Sequence, residues 1–312
     1  LSEGGRPALI FKPFSRDPAT DQDPPFYAQV MPQAPRLNGW PRPLPRGDGE
    51  WRAALAALRE ALAPHTWRFV IVEGLDGLET SSPFAPASAR LAEALNARVL
   101  AVVPFAPGMR PQDLEGLSHL FGPRLGGLLL NGATRYQAHY AQAVLLPALR
   151  DRRLPVLGAL PEDRLLLAPT VGEVAQHLGA RFLLFDGKKD DLVEQFMVGG
   201  WFLDAGDYVF SRQENKAVLV RGDRPDLQMA ALQTSTRCLV LTEGRYPVQY
   251  VVYEAEQQGV PLLLVQEGTV AAMERLHTLH QRVSVHHPQK VARFRHLLTA
   301  HADGQALAAL LS

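Results

Sequence analysis

Short runs of consecutive apolar residues, separated by stretches with helical spacing, constrain this chain more than any other feature. Ala8-Leu9-Ile10-Phe11, Phe69-Val70-Ile71-Val72, Val99-Leu100-Ala101-Val102-Val103, Gly127-Leu128-Leu129-Leu130 and Val156-Leu157-Gly158 are such runs. A run without polar alternation reads as a strand covered on both faces. Between the runs, Trp51, Leu55, Leu58 and Leu62 fall on one helical face. Further helices are predicted through Leu91 and Leu95, over 114–120 and over 141–150. Strand–helix alternation requires crossover connections, and so a mostly parallel sheet.

The alternation resumes downstream. Strands are predicted at 217–220, 238–241 and 261–265, and helices at 224–234, 248–257 and 269–279. A last helix is expected over 288–299, with Pro288 in its first turn. Thr170-Val171-Gly172-Glu173 is a capping box, which marks a helix start and a domain boundary. The expected division is a first domain over 1–168, a second over 169–300 and a tail over 301–312. A length of 312 residues suits two domains, and 46% apolar residues supply their cores. Nine prolines from Pro13 to Pro45 predict an extended loop there, neither helix nor central strand.

The 32 basic and 32 acidic residues cancel, so no global field recruits nucleic acid or anionic lipid. Neither is an expected partner. The lone cysteine, Cys238, reads as a buried strand thiol and cannot form an internal disulfide. No apolar run reaches membrane-spanning length and the first residues are no signal peptide, so a cytoplasmic protein is expected by elimination.

Glu73-Gly74-Leu75-Asp76-Gly77 directly follows a strand. An acid at the carboxyl end of a parallel strand points into the crevice where open α/β sheets take ligands. In nucleotide sites such a carboxylate holds magnesium, and glycines such as Gly74 and Gly77 admit a ligand close to the backbone. A tight turn with an exposed acid fits these residues equally well. Gly222-Asp223-Arg224-Pro225-Asp226 lies at a strand–helix junction. Asp223 is expected to cap the helix, and Asp226 to favour its dipole. Arg224 either meets a carboxylate or anionic ligand, or is a surface arginine. The run 186–191 reads as a solvated loop. His277, His280, His286 and His287 read as surface histidines, because no cysteine or acid completes a ligand set. No Gly-x-Ser-x-Gly, His-Glu-x-x-His or Gly-x-Gly-x-x-Gly segment occurs.

Gly222 to Asp226, followed by Leu239-Val240-Leu241-Thr242-Glu243-Gly244, resembles the Asp-Arg…Thr-Gly-Gly signature of the DRTGG domain. That regulatory α/β module accompanies phosphotransacetylases. Glu243 departs from the signature's glycine and adds bulk and negative charge at the turn. Phe11-Lys12-Pro13, Val70-Ile71-Val72-Glu73-Gly74 and Leu128-Leu129-Leu130-Asn131 resemble dethiobiotin synthetase. A domain similar to that enzyme forms the N-terminal part of long phosphotransacetylases. Leu157-Gly158-Ala159-Leu160-Pro161-Glu162-Asp163, next in order, adds to the match.

The resemblance implies an α/β chain with a mostly parallel P-loop-type sheet lacking its first strand and loop, followed by a smaller α/β DRTGG-like domain. It implies that Lys12 faces substrate and phosphates and that Glu73 binds magnesium. Lys12, Glu73, Gly74 and Gly77 are then the cofactor-binding residues. ATP and magnesium are the implied cofactors, dependent on a glycine-rich phosphate loop absent from this sequence. Leu1 to Arg6 is expected to be the last turn of the helix after that loop. Asp223, Arg224, Asp226, Thr242 and Gly244 are the implied regulatory or interface residues. The implied function is a nucleotide-binding, regulatory protein and a homo-oligomer, whose domains respond to a small nucleotide effector. The resemblance places the acetyl-transfer domain after the DRTGG-like unit, but the chain ends at Ser312, so no autonomous phosphotransacetylase activity is expected. The alternatives are an ATP-dependent ligase of the dethiobiotin synthetase type, active with its loop restored, and a non-catalytic dimeric scaffold. The proline-rich loop replaces that family's substrate-binding region, so dethiobiotin synthesis itself is not expected.

Overall fold

The computed structural model describes residues 8–63, 69–75, 84–200 and 207–311. Gly77 and the segment Leu1 to Arg6 lie outside the described residues. The chain divides into two units, residues 1–162 with 291–312, and residues 163–290.

In the first unit, β1 (Ala8–Phe11) pairs in parallel with β4 (Phe69–Val72), Leu9 opposite Val70 and Phe11 opposite Val72. A short parallel pair joins β2 (Phe14–Ser15) to β3 (Arg42–Pro43). The helix α2 (Asp48–Leu62) buries Trp51 and Leu58 against Leu9, Phe11 and Phe14, together with Leu91 of α3 (Phe84–Ala94). Phe14 meets Trp40 and Trp51 edge-on at 5.9 and 5.1 Å. The proline-rich segment is not wholly extended, because it contains the helix α1 (Asp23–Val30). Pro24 and Pro25 sit in its first turn, where an amide hydrogen has no intrahelical acceptor and its loss costs nothing.

A separate parallel sheet of the same unit runs β5 (Val99–Pro104), β6 (Leu125–Ala133), β7 (Val156–Pro161) in spatial order. Leu128 and Leu130 pack against Leu117 of α4 (Gln112–Phe121), and against Leu145 and Leu149. The last two come from α5 (Ala138–Tyr140), a π-helical stretch Ala141–Leu145 and α6 (Leu146–Asp151), which follow one another without a break. Phe294, Leu298, Leu307 and Leu310, from the C-terminal segment, cover Leu129, Leu157 and Leu160. A Cβ on Gly158 would lie 2.2 Å from the His301 carbonyl oxygen, so only glycine permits this approach. Residues 291–300, expected in the second domain, and the expected tail therefore pack with the first unit, because they carry the apolar cover of β6 and β7.

The second unit is built on one five-stranded sheet in the order β8 (Arg181–Leu184), β12 (Leu262–Leu264), β11 (Thr236–Thr242), β10 (Lys216–Arg221), β9 (Gln195–Gly199). All pairings are parallel except β8 with β12. The alternation of side chains divides the core cleanly. Ala217, Leu219, Cys238 and Val240 face Val171 and Val174 of α8 (Val171–Leu178) and Leu276 of α12 (Thr269–His277). Val218, Val220, Leu239 and Leu241 face Leu227 of α10 (Pro225–Leu232) and Val251 and Ala255 of α11 (Gln249–Gln258). Short helices α7 (Arg164–Leu167) and α9 (Asp207–Phe210) complete the unit. The helices α13 (Pro288–His301) and α14 (Gly304–Ala309) end the chain. The predicted capping box forms, with Thr170 Oγ1 accepting from the Glu173 amide at 3.1 Å and Glu173 accepting from the Thr170 amide at 2.7 Å. Among the described residues no helix is long and apolar enough to cross a membrane.

Candidate functional site

In the first unit, pairing of β1 with β4 brings the residues just beyond their carboxyl ends together. The Glu73 amide donates to the Phe11 carbonyl at 3.0 Å, and Lys12 Nζ lies 3.2 Å from Glu73 Oε1. Asp21, 3.2 Å from the same ammonium, and Asp23, in hydrogen-bond contact with it, complete the cluster. Burial pulls the Lys12 ammonium toward a lower pKa, but its bond to Asp23 and the charge of Glu73 together hold it above its usual value. Asp21 is likewise raised by burial, yet bonds from the Ser15 hydroxyl, the Asp23 amide and Lys12 bring it below its usual range. The sequence brought out Lys12 and Glu73 but not their two acidic companions. Asp21 and Asp23 lie in the segment read as a loop, where aspartate is an ordinary residue.

This donor set does not fit a metal held by protein groups alone. An ammonium occupies the centre of the three carboxylates, and no group of three or more His, Cys, Asp or Glu is placed to hold a metal among the described residues. A Cβ on Gly74 would meet nothing closer than Ser88 Oγ at 3.9 Å, so no close backbone approach demands glycine there.

In the second unit, the two turns leaving β10 and β11 meet. A Cβ on Gly222 would lie 1.9 Å from the Arg245 carbonyl oxygen, which makes glycine obligatory. Thr242 is buried, and its hydroxyl bonds that of Thr269 at 2.8 Å. Glu243 and Gly244 are both left-handed, with φ of 66° and 63°. Glycine suits that region, whereas a residue bearing Cβ pays about 1–2 kcal/mol. Asp223 does not cap α10. The cap position is Arg224, whose side chain accepts no bond from a helix amide, and Asp223 is engaged elsewhere. Its carboxylate takes both Nε and Nη2 of Arg221, at 3.0 and 2.7 Å, and Arg245 Nη1 at 2.9 Å. Glu243 adds ion pairs to Arg221 at 3.5 Å and to Arg245 at 3.6 Å. Arg224 bonds Asp226 through both prongs, at 2.9 and 2.7 Å. The Arg221 bond holds the Asp223 carboxyl below its usual range, and the Arg224 bond does the same for Asp226.

Beneath this surface, Gln228 is fully buried and its amide donates to the Arg221 carbonyl at 2.8 Å. The signal for it was a polar residue on an otherwise apolar helix face. Among the described residues the histidines join no metal-binding group. His280 bonds the His277 carbonyl, His286 bonds Ser284 and His287 bonds the Asp190 carbonyl.

The two turns that meet beside Arg221 have a counterpart among known families. Residues 173–279 match the DRTGG domain. The chain as a whole is distantly similar to phosphate acetyltransferases, aligning with their N-terminal part. It is 26% identical to the phosphate acetyltransferase of a Synechocystis strain over 77% of this chain and 36% of that protein. It is 24% identical to that of Pseudomonas putida, over 97% of this chain and 47% of that protein. The chain thus spans less than half the length of these relatives. A solved structure of the CBS and DRTGG domains of the regulatory region of Clostridium perfringens pyrophosphatase, complexed with its activator diadenosine tetraphosphate, is 12% identical. Its TM-score is 0.33, over 61% of this chain and 76% of that chain.

Proposed function

We propose that this chain is a regulatory region similar to the N-terminal part of phosphate acetyltransferase, and that its DRTGG domain takes a nucleotide at the carboxyl edge of β10 and β11. The observation that carries this reading is the meeting of the Gly222 and Gly244 turns with Arg221, Arg224 and Arg245 around them. Ligands of open α/β sheets bind outside the carboxyl ends of strands, and arginine forks suit phosphate oxygens. Asp223 and Glu243 occupy those forks in the free domain, so a phosphate binds by displacing them. Calorimetry with ATP-magnesium tests the reading. Arg245→Ala is expected to weaken binding about tenfold, as loss of a charge-assisted hydrogen bond does, and Asp223→Asn to tighten it. Binding indifferent to both substitutions overturns the proposal.

Self-association of this domain belongs to the same reading, supported by the exposed rings of Tyr246, Tyr250 and Tyr253. Sedimentation that finds a monomer at all concentrations removes it.

A second reading puts ATP and magnesium at the first unit, in a P-loop-type site of which Lys12 and Glu73 form part. The 3.2 Å contact between these two strand-end residues favours it. The surrounding carboxylates oppose it, since phosphate would have to draw Lys12 away from Asp21 and Asp23. Calorimetry with Glu73→Ala decides the matter, because unchanged ATP-magnesium binding eliminates Glu73 as a magnesium ligand.

A further inference from the structure

A cavity of about 490 Å³ opens beside the end of β1 in the first unit. Its size is that of a small-molecule site. Phe11 lines it from the strand, Tyr27, Ala28 and Met31 from or just after α1, and Trp40 from the segment beyond. Trp40 is a fixed wall. Arg42 lies 4.4 Å over its ring, and Phe14 packs edge-on against it. The rest of the lining mixes polar surface, Asn38 included, with apolar side chains, and the apolar body of a ligand would lie against Phe11, Met31 and Trp40.

Two cations also line the cavity, Lys12 and Arg36. They are not equivalent. Lys12 is engaged by Asp21, Asp23 and Glu73, so three carboxylates against one ammonium leave excess negative charge at that end. Arg36 is exposed and makes no hydrogen bond or ion pair among the described residues. The guanidinium is thus the group free to bind an anion, and the acidic cluster repels a second negative charge.

We propose that this cavity binds a small organic monoanion, its single carboxylate or sulfonate on Arg36 and its apolar body between α1 and Trp40. Polyphosphates are excluded by the acidic cluster. The site is separate from the nucleotide site argued for the DRTGG domain and does not depend on it, but Lys12 lines it, so it competes with the second reading, in which ATP-magnesium sits at Lys12 and Glu73.

The test uses the full chain and 8-anilinonaphthalene-1-sulfonate, an aromatic monoanion whose fluorescence reports burial. The expected result is saturable binding at one site, weakened about tenfold by Arg36→Ala. Ala28→Trp, which fills the cavity, should abolish it, and millimolar ATP-magnesium should not displace the probe. Absence of saturable binding, binding that survives both substitutions, or displacement by ATP-magnesium overturns the proposal. Arg36 is exposed, so its replacement leaves the fold intact and keeps the test valid should Ala28→Trp prevent folding.

Discussion

The DRTGG domain and the first unit are both built on parallel strands, yet they treat those strands differently. In the DRTGG domain Ala217 to Val220 and Cys238 to Leu241 are wholly shielded, with apolar partners on both faces. In the first unit β4 and β5 each hydrogen-bond one neighbouring strand, β1 and β6 respectively, among the described residues. Ile71, Leu100 and Val102 on them are 38%, 40% and 44% exposed. The apolar runs look alike in sequence. What differs is how many elements close over them, and that sets how much each side chain contributes to stability.

The sharpest test of this contrast is a truncation in each unit. Leu219→Ala should cost the DRTGG domain about 2–5 kcal/mol, since its side chain is fully buried. Urea unfolding, followed by hydrogen exchange to assign the transition to a unit, reads the loss. An effect below 1 kcal/mol would contradict the packing described. Gly222→Ala should cost about 1–3 kcal/mol, because its Cβ collides with backbone rather than with a yielding side chain. In the first unit the comparable loss is electrostatic. Lys12→Met leaves Asp21, Asp23 and Glu73 facing one another, and about 2 kcal/mol is expected, less than for a wholly buried pair because water reaches the cluster. The same cluster makes the first unit acid-sensitive. Asp21 titrates lower when folded than its unfolded value of 3.8, so its contribution is present above that value and is lost as the pH falls through the folded one.

Alkali should act on the DRTGG domain in the opposite sense. Lys216 is fully buried, donating to Thr234 Oγ1 and the Ser235 carbonyl, and burial lowers its pKa from 10.5 to about 8. Between those values the unfolded chain binds more protons than the folded one, so this residue's contribution to stability climbs with pH, by up to about 3 kcal/mol over the window. Lys216→Met should flatten that rise, as read by urea midpoints at successive pH values. Least of all, Leu100→Thr on exposed β5 should change stability by no more than about 0.5 kcal/mol. A loss as large as that at Leu219 would mean the two sheets are not differently covered.

Much of the fold was legible because strands buried on both faces leave uninterrupted apolar runs, as in β6, β10 and β11. The capping box at Thr170 was legible because both of its bonds are local. The strands β8 and β9 were not, being half-buried edges with mixed residues. The helix α1 hid behind prolines whose cost vanishes in a first turn. At the candidate sites, strand ends announced Glu73 and Asp223. Local spacing did not reveal that Arg245, on the neighbouring turn, would help draw Asp223 away from the helix it was expected to cap. Nor did it reveal that Asp21 and Asp23 would crowd Lys12.

The glycine at position 158 and the apolar residues of α13 and α14 have a practical consequence for anyone wishing to take the molecule apart. A polypeptide stopped after Glu162 would retain β6 and β7 but strip Leu129, Leu157 and Leu160 of their lid. Such a fragment should be sticky and poorly behaved. The second unit is an insertion, joined to the first through two peptide junctions, and must be excised with two cuts and the flanking ends rejoined.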